Sequence, residues 1–274
     1  MTTLHDKALL FRSLHVPGSP LLLANAWDAA SARIVEAAGA PAVATTSAGV
    51  AWSLGAADGD RLGADLALGL IARVAAAVDV PVTADIESGF ADDPEGVGRT
   101  VRGVLEAGAV GVNLEDAHHG GPSPLRPVED QVVRLAAARA AADEAGIPLF
   151  VNARVDTYLG GSADLGETLE RVAAYVEAGA DGVFVPGLLD LRAITTVVEK
   201  AGVPVNVLVG PGAPDVAALA GCGVARISLG SAVAQAAYAV ARRAAVELYS
   251  TGTYAAVADE LAYSEVNALL SGRP

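Results

Sequence analysis

Short Val-rich runs recur along the chain, separated by longer Ala-rich segments whose apolar residues return every three to four positions. The short runs take two forms. In the first, a helical pattern ends, a glycine follows and an apolar run begins: "VEAAGAPAVATTS" (35–47), "LEAGAVGVNLED" (104–116), "VEAGADGVFVPG" (176–187) and "LAGCGVARISLG" (219–230). A glycine just past a helix closes it in the left-handed conformation. In the second, a proline opens the run: "AAVDVPVTADIE" (76–87), "EAGIPLFVNARVD" (144–156) and "EKAGVPVNVLVG" (199–210). At the start of a strand the missing N–H of proline does least harm. With "PLLLAN" (20–25) as the first strand, the pattern predicts helices at 28–38, 62–78, 94–107, 127–145, 165–178, 189–200, 213–220 and 231–249. Short strands apolar on both faces, alternating with helices, imply a parallel sheet. Eight such units imply a single α/β domain, a (β/α)8 TIM-type barrel. A doubly wound open sheet is the alternative, but it needs edge strands of different character and none is visible. A helix over about 2–15 precedes the barrel of about 20–250, and an extra C-terminal segment, 251–274, reads as helical.

Composition narrows the partners. Of 274 residues 53% are hydrophobic and only 4% aromatic, so a large core is built from Ala, Val, Leu and Ile. A net charge of −14 repels polyanions and argues against nucleic acid. No basic amphipathic segment suits a membrane surface, and no apolar run reaches the roughly 18–20 residues that span a bilayer. The first 15 residues mix charges into their apolar positions and lack a signal-peptide core. The single cysteine excludes an internal disulfide, which agrees with a reducing cytoplasm. A small-molecule substrate remains.

In such barrels the active site lies at the C-terminal strand ends. Those ends read Asn25; Thr45 and Ser47; Asp85 and Glu87; Asn113 and Glu115; Asn152 and Arg154; Asn206; and Ser228. The pairs on strands 2 to 5 are spaced i, i+2, which places each pair on one face of its strand. Polar groups there are costly to bury unless they are satisfied, so their convergence describes a polar pocket. Asp85, Glu87 and Glu115, with Asp58 in the loop after strand 2, concentrate negative charge that a divalent cation would relieve. An all-oxygen donor set favours Mg²⁺ or Mn²⁺ over zinc. Arg154 supplies a positive partner for an anionic substrate. The competing structural readings are that Asp116 and Asp156 cap helices and that Glu87 pairs with Arg154.

These residues resemble the isocitrate lyase/phosphoenolpyruvate mutase superfamily over most of the chain. "TTSAGVAWSLGAADGD" (45–60) is similar to its substrate-carboxylate loop, with Thr45, Ser47, Ala48 and Gly49 at the ligand, followed by a metal-site Asp, here Asp58. "ADIESGF" (84–90) resembles its Asp-x-Asp-x-Gly-Tyr/Phe segment, with Glu87 in place of the second Asp. "VNLED" (112–116) carries its strand-4 Glu, and "NARVD" (152–156) its Asn-Ala-Arg. The resemblance implies a Mg²⁺-dependent barrel acting on 2-oxo acids through an enolate, with Asn113, Arg154 and Asn206 toward substrate. It also implies a homotetramer, with a C-terminal helix exchanged between subunits.

The departure lies after strand 4. Isocitrate and methylisocitrate lyases carry a Lys-(Lys/Arg)-Cys-Gly-His lid whose cysteine acts as an acid, and the mutase lid is Asp-Lys-x-x-Pro-Lys-x-Asn-Ser. This chain has "EDAHHGGPSPLRPVEDQ" (115–131), with neither motif. Cys222 falls in a helix-to-strand turn, expected at the opposite end of the barrel. His118 and His119 occupy the lid position, either as solvated loop residues or as proton donor and substrate contact. His5 and His15 are assigned no role. "SGFADDPEG" and "GGPSPLRP" are irregular enough to move over the mouth. "LVGPGAPD" (208–215) lacks the P-loop Lys and reads as a tight turn. The favoured reading is a C–C lyase or hydrolase of an oxaloacetate-like 2-oxo dicarboxylate. A phosphonate mutase or phosphonopyruvate hydrolase, and a catalytically weak 2-oxo acid binder, are the alternatives.

Overall fold

The eight apolar runs become eight parallel strands in a computed structural model that describes residues 2–271. In chain order the elements begin with α1 (Leu4–Ser13), β1 (Leu21–Leu23), α2 (Ala29–Ala37) and β2 (Val43–Ala44). Then come α3 (Ser47–Ser53), α4 (Ala64–Ala77), β3 (Val82–Asp85), α5 (Pro94–Glu106) and β4 (Gly111–Glu115). The second half comprises α6 (Val128–Glu144), β5 (Phe150–Arg154), α7 (Leu165–Glu177), β6 (Gly182–Phe184), α8 (Leu191–Ala201), β7 (Val205–Leu208), α9 (Val216–Gly221) and β8 (Arg226–Ser228). α10 (Ala232–Thr251) and α11 (Tyr263–Leu270) follow the barrel.

The strand order β1-β8-β7-β6-β5-β4-β3-β2 brings the first strand against the last, with Leu21 opposite Arg226 and Leu23 opposite Ser228. The remaining seam, β1 to β2, is held by one parallel bridge, Ala26 to Thr45, with Ala26 N donating to Ala44 O at 2.8 Å. The open-sheet alternative is therefore excluded, and the (β/α)8 barrel with extra C-terminal helices stands. Helix starts follow local chemistry. Asp28, Asp93, Asp164, Asp190 and Asp215 each accept a backbone N–H as N-caps of α2, α5, α7, α8 and α9.

Two sequence expectations change. The loop 45–60 contains a helix, α3, because the chain leaves β2 after only two residues and winds at once. Gly49 permits that turn to pack: a Cβ there would stand 2.8 Å from both Thr46 Cγ2 and Trp27 Cβ. The rule of paired faces also fails for strands 2 and 3. β3 ends at Asp85, and Glu87 lies beyond it with φ at +51°, so its side chain leaves the strand's alternation. Ser47 likewise belongs to α3 rather than to β2. On β4 and β5 the pairs Asn113/Glu115 and Asn152/Arg154 do stay within one strand each.

The main core lies between the sheet and its ring of helices. A second cluster plugs the barrel's lower end, where α1 inserts Phe11 beneath Val110 and Phe150. His15 stacks on Phe150 with ring centroids 4.0 Å apart, and Phe11 meets both rings edge-on. Gly111 makes room, since a Cβ would come within 2.7 Å of Phe11 Cε1. Cys222 sits in the turn between α9 and β8, at this lower end, away from the strand C-termini.

Candidate active site

The strand C-termini hold their side chains by mutual hydrogen bonds. Asn152 Nδ2 donates to Asn113 Oδ1 at 2.9 Å and to Asn206 Oδ1 at 3.3 Å. Arg226 Nη2, fully buried below, also donates to Asn113 Oδ1, at 3.3 Å. Two donors on one oxygen fix the Asn113 amide and leave its Nδ2 without an acceptor among the described residues. Asn206 Nδ2 reaches Ser228 Oγ, and Asn25 ties Thr45 O to Gly230 N. The strand-end asparagines Asn113, Asn152 and Asn206 are thus one network.

Arg154 stands beside it. Its Nη1 meets Glu115 Oε2 at 2.5 Å, and its Nε and Nη2 grip both oxygens of Asp156 at 2.7 Å. Burial works against this guanidinium, but the charges of Glu115, Asp156 and Asp85 outweigh it and raise its pKa. Asp156 is not a helix cap. Its own N–H donates to Asp116 Oδ1, and Asp116, with no exposure, accepts from Tyr175 Oη at 2.8 Å and Arg171 Nη1 at 3.1 Å. The two aspartates, for which capping was the competing structural reading, instead form a buried chain that aims Arg154. The Glu87–Arg154 pairing weighed from sequence is replaced by the Glu115–Arg154 ion pair.

The acids occupy two neighbouring groups. In the inner group, Asp85 N donates to Thr45 Oγ1, and Asp85 Oδ2 accepts from Ser47 N at 3.2 Å. Asp85 Oδ1 is buried with no hydrogen-bond partner. Partial burial, then the charge of Asp85, raise the pKa of Asp58, which a hydrogen bond with the Ser47 side chain opposes. Burial pushes Glu115 up to about 7 against the pull of Arg154 and His119. In the outer group, Glu87 Oε2 accepts from Gly59 N at 2.9 Å and from Asp60 N. Burial lifts Glu87 to about 8, with further repulsion from Asp58, Asp60 and Asp85. Asp60 Oδ2 accepts from Ser88 Oγ, while Asp60 Oδ1 is buried and unpartnered. His119 Nε2 lies 2.8 Å from Glu115 Oε1, and this contact raises the histidine's pKa. One donor atom each from Asp60, Glu87 and His119 lie within 4.8 Å of one another.

A divalent cation fits this surplus of acid. Unpaired buried oxygens on Asp85 and Asp60 are costly unless something positive meets them. Beside Asp85, the Ala48 and Gly49 amides of α3 have no acceptor within the helix and none elsewhere among the described residues.

A cavity of about 990 Å³ opens over the outer group, walled by Asp58, Asp60, Ser88, His118, His119 and Arg126 among others. Asp85, Arg154 and the asparagine network lie outside its walls. His118 is held through its backbone, N donating to Pro124 O and O accepting from Gly121 N, and its imidazole makes no hydrogen bond among the described residues. Arg134 of α6 anchors the facing loop by donating to Ser88 O, Ala91 O and Asp92 O.

The profile of phosphoenolpyruvate phosphomutase matches residues 11–249. The chain belongs to this family. Within the wider isocitrate lyase/phosphoenolpyruvate mutase superfamily, an uncharacterized Mycobacterium tuberculosis protein is 41% identical over 225 residues, covering 81% of each chain. The 2-methylisocitrate lyase of Escherichia coli K12 is 30% identical over 208 residues, 74% of this chain and 70% of that enzyme. A crystal structure of a Burkholderia cenocepacia protein assigned as a lyase/mutase superposes with a TM-score of 0.92 at 39% identity, covering 98% and 97% of the two chains.

For this phosphomutase-family chain, the structure adds site residues to which the sequence reading gave no site role. That reading weighs Asp156 only as a helix cap although it follows Arg154 at i+2, and Asp60 was visible as the partner of Asp58 in one loop. Arg226 had one signal, a cation inside an apolar run. Ser88 and Arg126 had none, because only the meeting of two loops brings Arg126 Nη2 within 3.3 Å of Ser88 Oγ.

Proposed function

We propose that the protein is a Mg²⁺-dependent lyase or hydrolase that breaks a C–C bond in a small, oxaloacetate-like 2-oxo dicarboxylate through an enolate. The observation that carries this reading is the facing of Asp85, with its unpaired oxygen, by Glu115, by the clamped Arg154 and by the open amides of α3. Asp85, Glu115 and Asp58 would hold the ion, directly or through its waters. When bound, Mg²⁺ supplies positive charge against the developing enolate.

The chain's own residues do the rest. Ser47 and the Ala48 and Gly49 amides hold the substrate carboxylate. Asn113 Nδ2 donates to a substrate oxygen from an amide whose orientation Asn152 and Arg226 have fixed. Arg154 receives the far carboxylate, and Asp116 through Asp156 keeps its fork in plane. In the lyase, the bond to the far carboxylate breaks and that carboxylate leaves as CO2. The electron pair stays on the 2-oxo acid fragment as an enolate that takes up one proton. In the hydrolase, water adds to the 2-oxo carbon and the neighbouring C–C bond breaks. The electron pair then leaves on the CH2-carboxylate fragment, which takes up the proton. With no lid cysteine, His118, whose imidazole is unengaged among the described residues, is the donor once its loop closes over the strand ends, since the cavity it lines does not include Asp85 or Arg154. This distinguishes the chain's chemistry from that of a methylisocitrate lyase. We further propose a homotetramer acting in the cytoplasm.

The test is a panel of 2-oxo dicarboxylates and phosphonates, each assayed with Mg²⁺ and with chelator. Chelator-sensitive cleavage of a 2-oxo dicarboxylate supports the reading. Turnover of phosphonopyruvate alone would move the protein to P–C chemistry, and binding without turnover would make it a 2-oxo acid binder.

A further inference from the structure

Each side chain of the outer group has one polar atom engaged and one left free. Glu87 Oε2 is taken by the Gly59 and Asp60 amides, which leaves Oε1. Asp60 Oδ2 is taken by Ser88 Oγ, itself contacted by Arg126, which leaves the buried Oδ1. His119 Nε2 is taken by Glu115 Oε1, which leaves Nδ1. With Nε2 held by Glu115, the tautomer protonated at Nε2 is the one that would offer its Nδ1 lone pair to a cation. That nitrogen lies over the 59–60 turn: a Cβ on Gly59 would stand 3.2 Å from it, and Gly59 has φ at +95°. The turn supplies the two amides that hold Glu87 and carries Asp60.

Engaging one polar atom of each side chain while the other stays available is how proteins orient metal ligands. A carboxylate behind a histidine is its commonest form. Donor atoms from all three residues already lie within 4.8 Å of one another. Neighbouring ligands at 2.0–2.2 Å from an ion stand roughly 3.0–3.4 Å apart, so side-chain rotations that draw these atoms in by about 1–2 Å would close the set. The remaining coordination positions would open onto the cavity bounded by Ser88, His118 and Arg126.

We propose that Asp60, Glu87 and His119 form a second metal site, separate from the all-oxygen site at Asp85 and selective for a first-row transition ion over Mg²⁺. The selectivity follows from the donors: imidazole nitrogen adds little for Mg²⁺, which prefers oxygen and holds its waters, and much for Mn²⁺, Co²⁺ or Zn²⁺. The inference does not depend on which substrate the enzyme takes.

The test uses Mn²⁺ alone, with binding followed by electron paramagnetic resonance on the intact protein. Wild type is expected to bind two ions per chain, one showing electron-spin-echo coupling to an imidazole nitrogen. Asp85→Asn should lose the other ion and keep the nitrogen-coupled one. His119→Ala should abolish the nitrogen coupling and weaken that ion at least about 100-fold, the upper end of what losing an outer hydrogen-bond partner costs. Asp60→Asn, which leaves the imidazole in place, should weaken the same ion. One ion per chain in wild type, no nitrogen coupling, or retention of both ions in His119→Ala would each overturn the second site. Loss of all Mn²⁺ in Asp85→Asn would overturn it too. The Asp85 reading fails separately, if Asp85→Asn keeps both ions.

Discussion

Asp85 does two things at once: Oδ2 accepts the first amide of α3, and Oδ1 stays free. Asp85→Asn keeps an acceptor for Ser47 N while removing the charge, so it separates the two roles. Titration calorimetry of the variant should show Mg²⁺ binding weakened by about 100-fold or more with the circular dichroism of the fold unchanged. Full Mg²⁺ affinity would mean that the carboxylates have been misread. The histidines divide similarly. His118→Ala should lower kcat by about 100-fold or more, the usual loss for a general acid, with a smaller change in KM. His119→Ala should act through the bound transition ion, and its defect should depend on which metal is supplied. If the double variant keeps wild-type kcat, neither ring moves the proton.

Among the elements, α3 bears most directly on the site, because it carries Ser47, Ala48 and Gly49 to Asp85. Its approach requires the absence of a side chain at Gly49, where a Cβ would also lie 3.2 Å from Ala234 Cβ on α10. Gly49→Ala therefore forces α3 away from Trp27 and α10. The expected cost is about 1–3 kcal/mol from overpacking, read as a lowered thermal midpoint, with KM raised more than kcat is lowered. An unchanged midpoint would show that α3 can shift freely. The loop after β3 is held differently: one buried arginine, Arg134, donates to three of its carbonyls. Burial drops that guanidinium to about 10, and the carbonyls compensate for the lost solvent.

At the scale of the whole molecule, the plug under the barrel makes stability sensitive to acid. Burial, then the nearby Arg226 charge, drop His15 to about 3, so the folded state holds this ring neutral. The unfolded chain binds a proton below about pH 6.5 and the folded chain does not. Stability from this group is therefore complete above pH 6.5 and declines by about 1.4 kcal/mol per unit as the pH falls toward 3. Urea denaturation at pH 7, 6 and 5 should reveal the slope, and His15→Phe should flatten it at a neutral-pH cost of about 1 kcal/mol for the lost bond to Phe11 O. An identical slope in the variant would assign the acid sensitivity elsewhere. The outer surface also makes a prediction. Val246, Tyr249, Tyr254 and Tyr263, on and after α10, stand exposed in a single chain, Tyr249 at 85%. Sedimentation at micromolar concentration should give four chains per particle, and a monomer would refute the proposed tetramer.

The amino-acid sequence determined the architecture by itself because a (β/α)8 barrel is written in local periodicity. Apolar runs too short for helices, a closing glycine or an opening proline, and amphipathic segments between them set the order of elements, and aspartate caps fixed the helix starts. It also placed Asn113, Glu115, Asn152 and Arg154, since residues inside a strand keep its alternation. What lay beyond a strand's last residue was decided only in three dimensions. Glu87 left the face of Asp85 because its backbone turned left-handed, and two amides from a loop 27 and 28 residues upstream then captured its carboxylate. Asp116 and Asp156 looked like caps until Tyr175 and Arg171 arrived from α7. His119 acquired its partner and its free nitrogen only when the lid segment folded back over Glu115. Hydrogen bonds within a turn depend on residues three or four apart. Those that hold Glu87, Asp60 and Asp116 here join segments 27 or more residues apart, which meet only when the barrel closes.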